Sequence, residues 1–256
     1  MFPNSDSPIG SAPHNGQIGA DPLKVSVLGT FEFFVGDEAL PAEAGSSQRL
    51  LAFLALRDRA VMRATVAGTL WPEASEDHAH SSLRSAISRL SEWNRQAVLV
   101  NPLDLRLGES VTVDIREARS LAHRLLDIDA LPPRADLSAS SIDALSADLL
   151  PDWYDDWVVL EAEDWRQLRL HALEALAQRF TDGGQFGDAA GAALAAVRAD
   201  PLRESPRSTL IRAHLAEGNQ SEAIREFERY RAQLRTELGL EPTPQLQALI
   251  ADLSRS

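Results

Sequence analysis

The sequence has no cysteine, and its single lysine, Lys24, stands against 24 arginines. Without cysteine there is no disulfide framework, no thiolate zinc site, no iron–sulfur cluster and no cysteine nucleophile, which fits a reducing cytoplasm. No run approaches the ~18 apolar residues of a membrane span. The start, Met1-Phe2-Pro3-Asn4-Ser5-Asp6, has no basic stretch leading into an apolar one, so no secretory signal is expected. No Gly-Lys-Ser/Thr phosphate loop occurs, and no ATP-driven switching is expected. The six histidines are scattered; His78 and His80 are two apart, on different faces of a helix. The carboxylates lack a glycine-containing calcium loop. No catalytic residue, metal site or cofactor is therefore expected, and the chain reads as a non-enzyme.

What is abundant is acid. The 256 residues carry a formal charge of −13, which argues against nucleic acid at first sight, because phosphates need Lys and Arg. The excess is local. Residues 1–126 hold 12 basic and 15 acidic groups, and residues 166–256 hold 12 of each. Residues 127–165 hold one basic group, Arg134, and 11 acids. The flanking regions are near balance, so the whole-chain charge says little about what either touches. The arginine bias suits phosphate and guanine recognition, and a GC-rich genome produces the same bias.

Residues 1–22 are Pro-, Gly-, Ser- and Asn-rich and read as a disordered tail. Leu23 to Leu28 and Phe31 to Val35 read as strands around Gly29-Thr30. A helix follows from Ser46 or Ser47 as N-cap, burying Leu50, Leu51, Phe53 and Leu54. A second runs from about Ala64 to Leu70 and stops at Trp71-Pro72. A third runs from about His78 to Trp93. Val98-Leu99-Val100 and Leu105-Arg106-Leu107 form a hairpin around Asn101-Pro102, and Val111-Thr112-Val113 is a last strand. Strands, three helices and a hairpin suit a winged helix-turn-helix.

Beyond a helix at 114–126 and the acidic segment, five amphipathic helices are expected: Leu168–Phe180, Phe186–Ala199, Pro206–Ala216, Ser221–Leu238 and Pro244–Leu253. Gly184, Asp188 and Ala189 recur 34 residues later as Gly218, Glu222 and Ala223. That offset is the tetratricopeptide period. An ordinary helical bundle has no reason to keep it. The expected fold is therefore multidomain: an N-terminal α+β winged helix-turn-helix, then an all-α tetratricopeptide-like domain.

Projected at about 100° per residue, the third helix splits into two arcs. Ala79, Leu83, Ala86, Ile87, Leu90 and Trp93 form the packing arc. His78, Ser81, Ser82, Arg84, Ser85, Ser88, Arg89 and Glu92 form the exposed one. A solvated helix usually carries Glu/Lys pairs rather than serines. Small polar residues with two arginines fit a major groove about 12 Å wide, with Arg84 positioned for guanine N7 and O6. Arg63 and Thr65 begin the preceding helix, where free N–H groups can hold a phosphate. Arg106 in the hairpin is placed to reach a minor groove.

These segments resemble one family. Ser47-Gln48-Arg49-Leu50-Leu51-Ala52-Phe53-Leu54-Ala55-Leu56, Leu70-Trp71-Pro72 and Ser82-Leu83-Arg84-Ser85-Ala86-Ile87-Ser88-Arg89-Leu90 look like the DNA-binding half of the antibiotic regulatory protein (SARP) transcriptional activators. Leu149-Leu150-Pro151-Asp152-Trp153-Tyr154-Asp155-Asp156-Trp157-Val158 is similar to the start of their bacterial transcriptional activation domain. Asp200-Pro201-Leu202-Arg203-Glu204-Ser205, Ala216-Glu217-Gly218-Asn219 and Glu237-Leu238-Gly239-Leu240-Glu241-Pro242 extend the likeness. The resemblance implies an OmpR-type winged helix fused to tetratricopeptide-like helices. It implies a cytoplasmic activator that binds direct repeats in double-stranded DNA as a homodimer and recruits RNA polymerase holoenzyme, with no membrane partner. Carried over by position, Arg84, Ser85, Ser88 and Arg89 are the expected contacts. The family's wing has a Gly-Tyr-Arg-Leu-like strand; here Asp104-Leu105-Arg106-Leu107 stands in that place, with an Asp near the Arg.

The reading divides the chain into a tail (1–22), a DNA-binding domain (23–114), a linker helix and acidic linker (115–148) and an activation domain (149–256). In the acidic segment, carboxylates alternate with Trp153, Tyr154, Trp157 and Trp165. Either this is a protein-binding surface, or a packed aromatic lead-in to the first repeat with acids solvating its outer face; the second is favoured. The alternative to a DNA-binding regulator is a regulatory adaptor or effector sensor whose helical repeats bind a protein or small molecule.

Overall fold

The computed structural model describes residues 22–41, 43, 45–127 and 129–251. Residues 1–21 of the expected tail lie outside them. The chain begins with β1 (Leu23–Ser26), β2 (Glu32–Val35) and β3 (Glu38–Ala39). β1 and β2 pair antiparallel, from Leu23 opposite Val35 to Ser26 opposite Glu32. Val25 and Phe33 thereby share one face, and both are buried. Gly36, at φ +61°, makes the turn into β3. The sheet order is β3-β2-β1-β7, with β7 (Val111–Val113) returning parallel to β1.

Between these strands lie α1 (Gly45–Ala55), β4 (Val61–Met62), α2 (Arg63–Leu70), α3 (Glu76–Ser88), α4 (Glu92–Ala97), β5 (Val98–Val100) and β6 (Asp104–Leu107). A second sheet runs β4-β6-β5. Ser47 is not a cap. It sits inside α1, fully buried, and its hydroxyl donates to the Ala86 carbonyl of α3 at 2.9 Å.

The third helix is shorter than its periodicity predicts. α3 stops at Ser88, and Ser91 begins α4, its hydroxyl accepting from the Asn94 N–H at 3.5 Å. Glu43 fixes the break by accepting from the Ser91 N–H at 2.8 Å and from the Asn94 amide. Leu90 and Asn94 take the inward positions, and Trp93, expected on the packing arc, is 40% exposed.

The second half contains α5 (Asp114–Leu126), a 3₁₀ turn at Arg134–Asp136, α6 (Ala139–Ser146), α7 (Asp156–Asp182), α8 (Phe186–Ala199), α9 (Glu204–Glu217), α10 (Gln220–Leu238) and α11 (Pro244–Ala251). The last four begin within two residues of where the sequence placed them. α7 starts twelve residues before its predicted start at Leu168, because the acid run masks the buried Trp157, Val158 and Trp165. The 34-residue offset is structural: Gly184 and Gly218 both have positive φ, and Ala189 and Ala223 are fully buried where paired helices approach. Residues 115–148, read as a linker, hold α5 and α6, which pack on α7 and α8.

One apolar core runs from Leu23 through both halves to Ala213. The halves also share backbone bonds. Leu28 bridges Leu149, the Gly29 N–H donates to the Asp148 carbonyl at 2.7 Å, and the Leu150 N–H donates to the Val27 carbonyl at 3.0 Å. Asp114, the first residue of α5, accepts from the Val27 and Leu28 N–H groups and from the Ser26 hydroxyl.

The acidic segment is built into this junction. Trp157 meets Phe53 of α1 edge-on at 5.4 Å, and Trp153 lies 6.1 Å from Phe31. The aromatic lead-in thus packs on the winged helix, not only on the first repeat. Its acids do more than solvate a face. Asp155 pairs with Arg49, Glu161 with both Arg57 and Arg119, Asp136 with Arg124, and Asp148 with Arg169.

Candidate nucleic-acid interface

α3 presents the two arcs expected of it over its own length. Ala79, Leu83 and Ala86 are buried, while His78, Ser81, Arg84, Ser85, Ser88 and Arg89 are exposed. Ala86 is held from behind by Ser47, so the exposed arc is fixed against α1. Along the helix the chemistry is graded. Glu76 and Asp77 occupy the first turn, which starts two residues before His78. They favour the helix dipole but repel phosphate. His78 is engaged by the Ser75 hydroxyl at 2.9 Å. The Ser88 hydroxyl donates to the Ser85 carbonyl at 2.9 Å, which leaves its lone pairs outward.

The cationic end is the C-terminal one. Arg63, Arg84, Ser88 and Arg95 surround an open cleft of about 560 Å³ between α3 and the hairpin, with Ile87, Val98 and Val100 as its apolar wall. Arg63, Arg84 and Arg89 have no ion-pair partner among the described residues. Arg63, Arg84 and Arg95 around one cleft without a carboxylate lining suit an anion.

Arg95 is the residue that sequence reasoning left without a role. Its guanidinium donates to the Ser88 carbonyl at 2.8 Å and the Leu90 carbonyl at 3.3 Å. It satisfies the open end of a helix that has no basic residue in its own last turn. The break at Ser88–Ser91 hides this, because a continuous helix places Arg95 beyond the site.

The remaining expected residues stand less favourably. Arg63 enters the cleft by its side chain, but its N–H is not free: it donates to the Leu103 carbonyl of the hairpin at 2.8 Å. Thr65 is exposed on the first turn of α2 and does not line the cleft. Arg106 lies within β6 opposite Leu99 and donates to Glu109 at 3.1 Å, so it is not at the hairpin tip. The tip is Asn101-Pro102-Leu103, closed by Asn101 donating to Asp104, with Leu103 68% exposed. Burial opposes ionisation of Glu43, but hydrogen bonds from Asn94 and Ser91 outweigh it and hold its carboxyl below the usual range. Among the described residues, no group of three or more His, Asp or Glu is placed to hold a metal, and no helix is long and apolar enough to cross a membrane.

Residues 112–253 match the family model of the bacterial transcriptional activator domain. Over 243 residues the chain is 28% identical to the regulatory protein AfsR of Streptomyces griseus, covering 90% of this chain and 24% of that protein. It is likewise 28% identical over 244 residues to AfsR of Streptomyces coelicolor, covering 89% and 24%. The chain thus spans about a quarter of the length of these relatives. Its fold is that of Mycobacterium tuberculosis EmbR, solved in complex with a low affinity phosphopeptide. The TM-score is 0.66 at 22% identity, over 92% of this chain and 65% of that one.

Proposed function

The chain belongs to the bacterial transcriptional activator domain family, and on that footing we propose that it is a transcription regulator of the antibiotic regulatory protein type that reads double-stranded DNA sequence with α3. The observation that carries the reading is the cleft where Arg63, Arg84 and Arg95 meet beside a serine-rich, unpaired helix face. In this reading Arg84 takes a guanine edge, while Ser81, Ser85 and Ser88 bond base edges or phosphate. Arg63, Arg89 and the outer edge of Arg95 neutralise phosphates. His78, Thr65 and Arg106 are peripheral contacts.

The activator binds direct repeats near promoters as a homodimer in the cytoplasm and contacts RNA polymerase holoenzyme through its helical half. Selection of bound sequences from random duplexes by the purified chain tests the reading. Enrichment of a repeated motif is expected, and an unenriched pool at physiological salt overturns it. A second reading, an effector sensor, is favoured by one feature. A cavity of about 440 Å³ lies between Leu28, α5 and α6, lined by Leu28, Leu121, Asp114, Glu117, Arg124 and Asp136. It adjoins the shared junction, not the concave face of the repeats.

A further inference from the structure

The cavity at the junction takes its walls from both halves. Leu28 follows β1, while Leu121 lies on α5 and Ala144 on α6. Leu28 is also a joint between the halves, through its bridge to Leu149 and its N–H bond to Asp114 at 3.1 Å. A volume of about 440 Å³ falls within the range of small-molecule sites, and Leu28, Ala118, Leu121 and Ala144 give it an apolar wall. Two of its polar members are themselves buried, Asp136 at 8% exposure and Ser141 at 5%.

The charge of this lining is one-sided. Asp114, Glu117, Asp136 and Asp143 face a single cation, Arg124, which leaves three negative charges unmatched. Asp136 neutralises Arg124 through two bonds, at 2.7 and 3.0 Å. Asp114 accepts only from neutral donors, the Val27, Leu28 and Ile115 N–H groups and the Ser26 hydroxyl, so its charge is solvated and not cancelled. Glu117 and Asp143 are exposed at the cavity and have no ion-pair or hydrogen-bond partner among the described residues.

Such a lining repels phosphates and anionic metabolites. It does not chelate a metal either, since no group of three or more His, Asp or Glu among the described residues is placed to hold one. The remaining complement is an organic cation. We propose that the cavity binds a small ammonium compound with an apolar body. The body packs on Leu28, Leu121 and Ala144, and the ammonium enters among the carboxylates, of which Glu117 and Asp143 are the free ones. The role of that ligand rests on the effector-sensor reading. A bound ligand contacts both halves and stabilises their joined state by mass action.

The test uses the full chain and three probes of one shape: phenylbutylamine, its neutral counterpart phenylbutanol and its anionic counterpart phenylbutyrate. Calorimetric titration should show saturable binding of the amine, about tenfold weaker binding of the alcohol and none of the acid. Saturating amine should raise the melting temperature. Two variants locate the site. Glu117→Gln combined with Asp143→Asn should keep the wild-type melting temperature without ligand and lose the amine's advantage over the alcohol. Ala144→Phe, which fills the cavity, should weaken amine and alcohol alike. Wild-type amine binding by both variants overturns the proposal. Binding of the acid in preference to the amine overturns the cationic class and leaves the sensor reading standing. Binding of none of the three overturns both. Saturating amine should also change affinity for the selected duplex about fivefold. Amine binding that both variants weaken, with duplex affinity unchanged, supports the site and overturns the sensor reading.

Discussion

Arg49, Arg57 and Arg119, on the side that meets α7, each face a carboxylate of the acidic segment. Arg63, Arg84 and Arg89, around α3, have no ion-pair partner among the described residues. The residue type is the same, and the environments are opposite. On the first side arginine is structural: it is partly buried, paired, and backed by Phe53 against Trp157. On the second it is held in solvent, where a phosphate or a guanine can replace water. The formal charge of −13 therefore misleads twice. Several of its acids are bound to internal arginines, and the cations that remain accessible lie on another face.

The comparison is broken most severely by Trp157→Ala. Trp157 is 7% exposed and stands between the two halves. Its loss should cost about 3–5 kcal/mol. Because one core serves both halves, chemical denaturation should show a single transition moving to lower denaturant. Two separate transitions would mean that the halves are independent. Glu161→Ala comes next. It leaves Arg57 and Arg119 facing each other at about one-quarter exposure, where the water they regain offsets part of the loss. A cost of about 1–2 kcal/mol is expected by the same measurement.

Arg116→Ala should cost about 1 kcal/mol, because Arg116 donates to the Leu54, Ala55 and Arg57 carbonyls at the open end of α1. Smallest is the pH effect of Glu43. Its carboxyl titrates lower folded than unfolded, so its stabilisation is complete above the ordinary carboxylate value of 4.5 and disappears as pH falls through the lower folded value. The melting-temperature gap between wild type and Glu43→Gln should close as the pH falls below 4.5.

The sequence exposes its helices and its repeat because each is a local pattern. Ala189 and Ala223 keep their offset, and Gly184 and Gly218 keep theirs. The exposed arc of α3 is legible for the same reason. What is not legible depends on partners far along the chain. The α3–α4 break is fixed by Glu43, about fifty residues before Asn94. Arg95 and Arg116 close the ends of α3 and α1, neither of which carries a basic residue in its own last turn. The acid run reads as a solvated face until Arg49 and Arg57 fold back on it. Arg106 reads as an unpaired wing residue, and its ion pair with Glu109 depends on how the hairpin folds.

The claim that the two sets of arginines do different work is tested most directly by measuring Arg84→Ala and Arg57→Ala together. Each is assayed for affinity to the selected duplex, affinity to a scrambled duplex, and melting temperature. Arg84→Ala should lose about 1–3 kcal/mol of discrimination at one base position with its melting temperature unchanged. Arg57→Ala should melt earlier and, while folded, keep the wild-type ratio between the two duplexes. If wild type and Arg84→Ala bind both duplexes equally weakly at physiological salt, or if Arg57→Ala alone abolishes the ratio, the division between a paired structural face and an unpaired reading face is wrong.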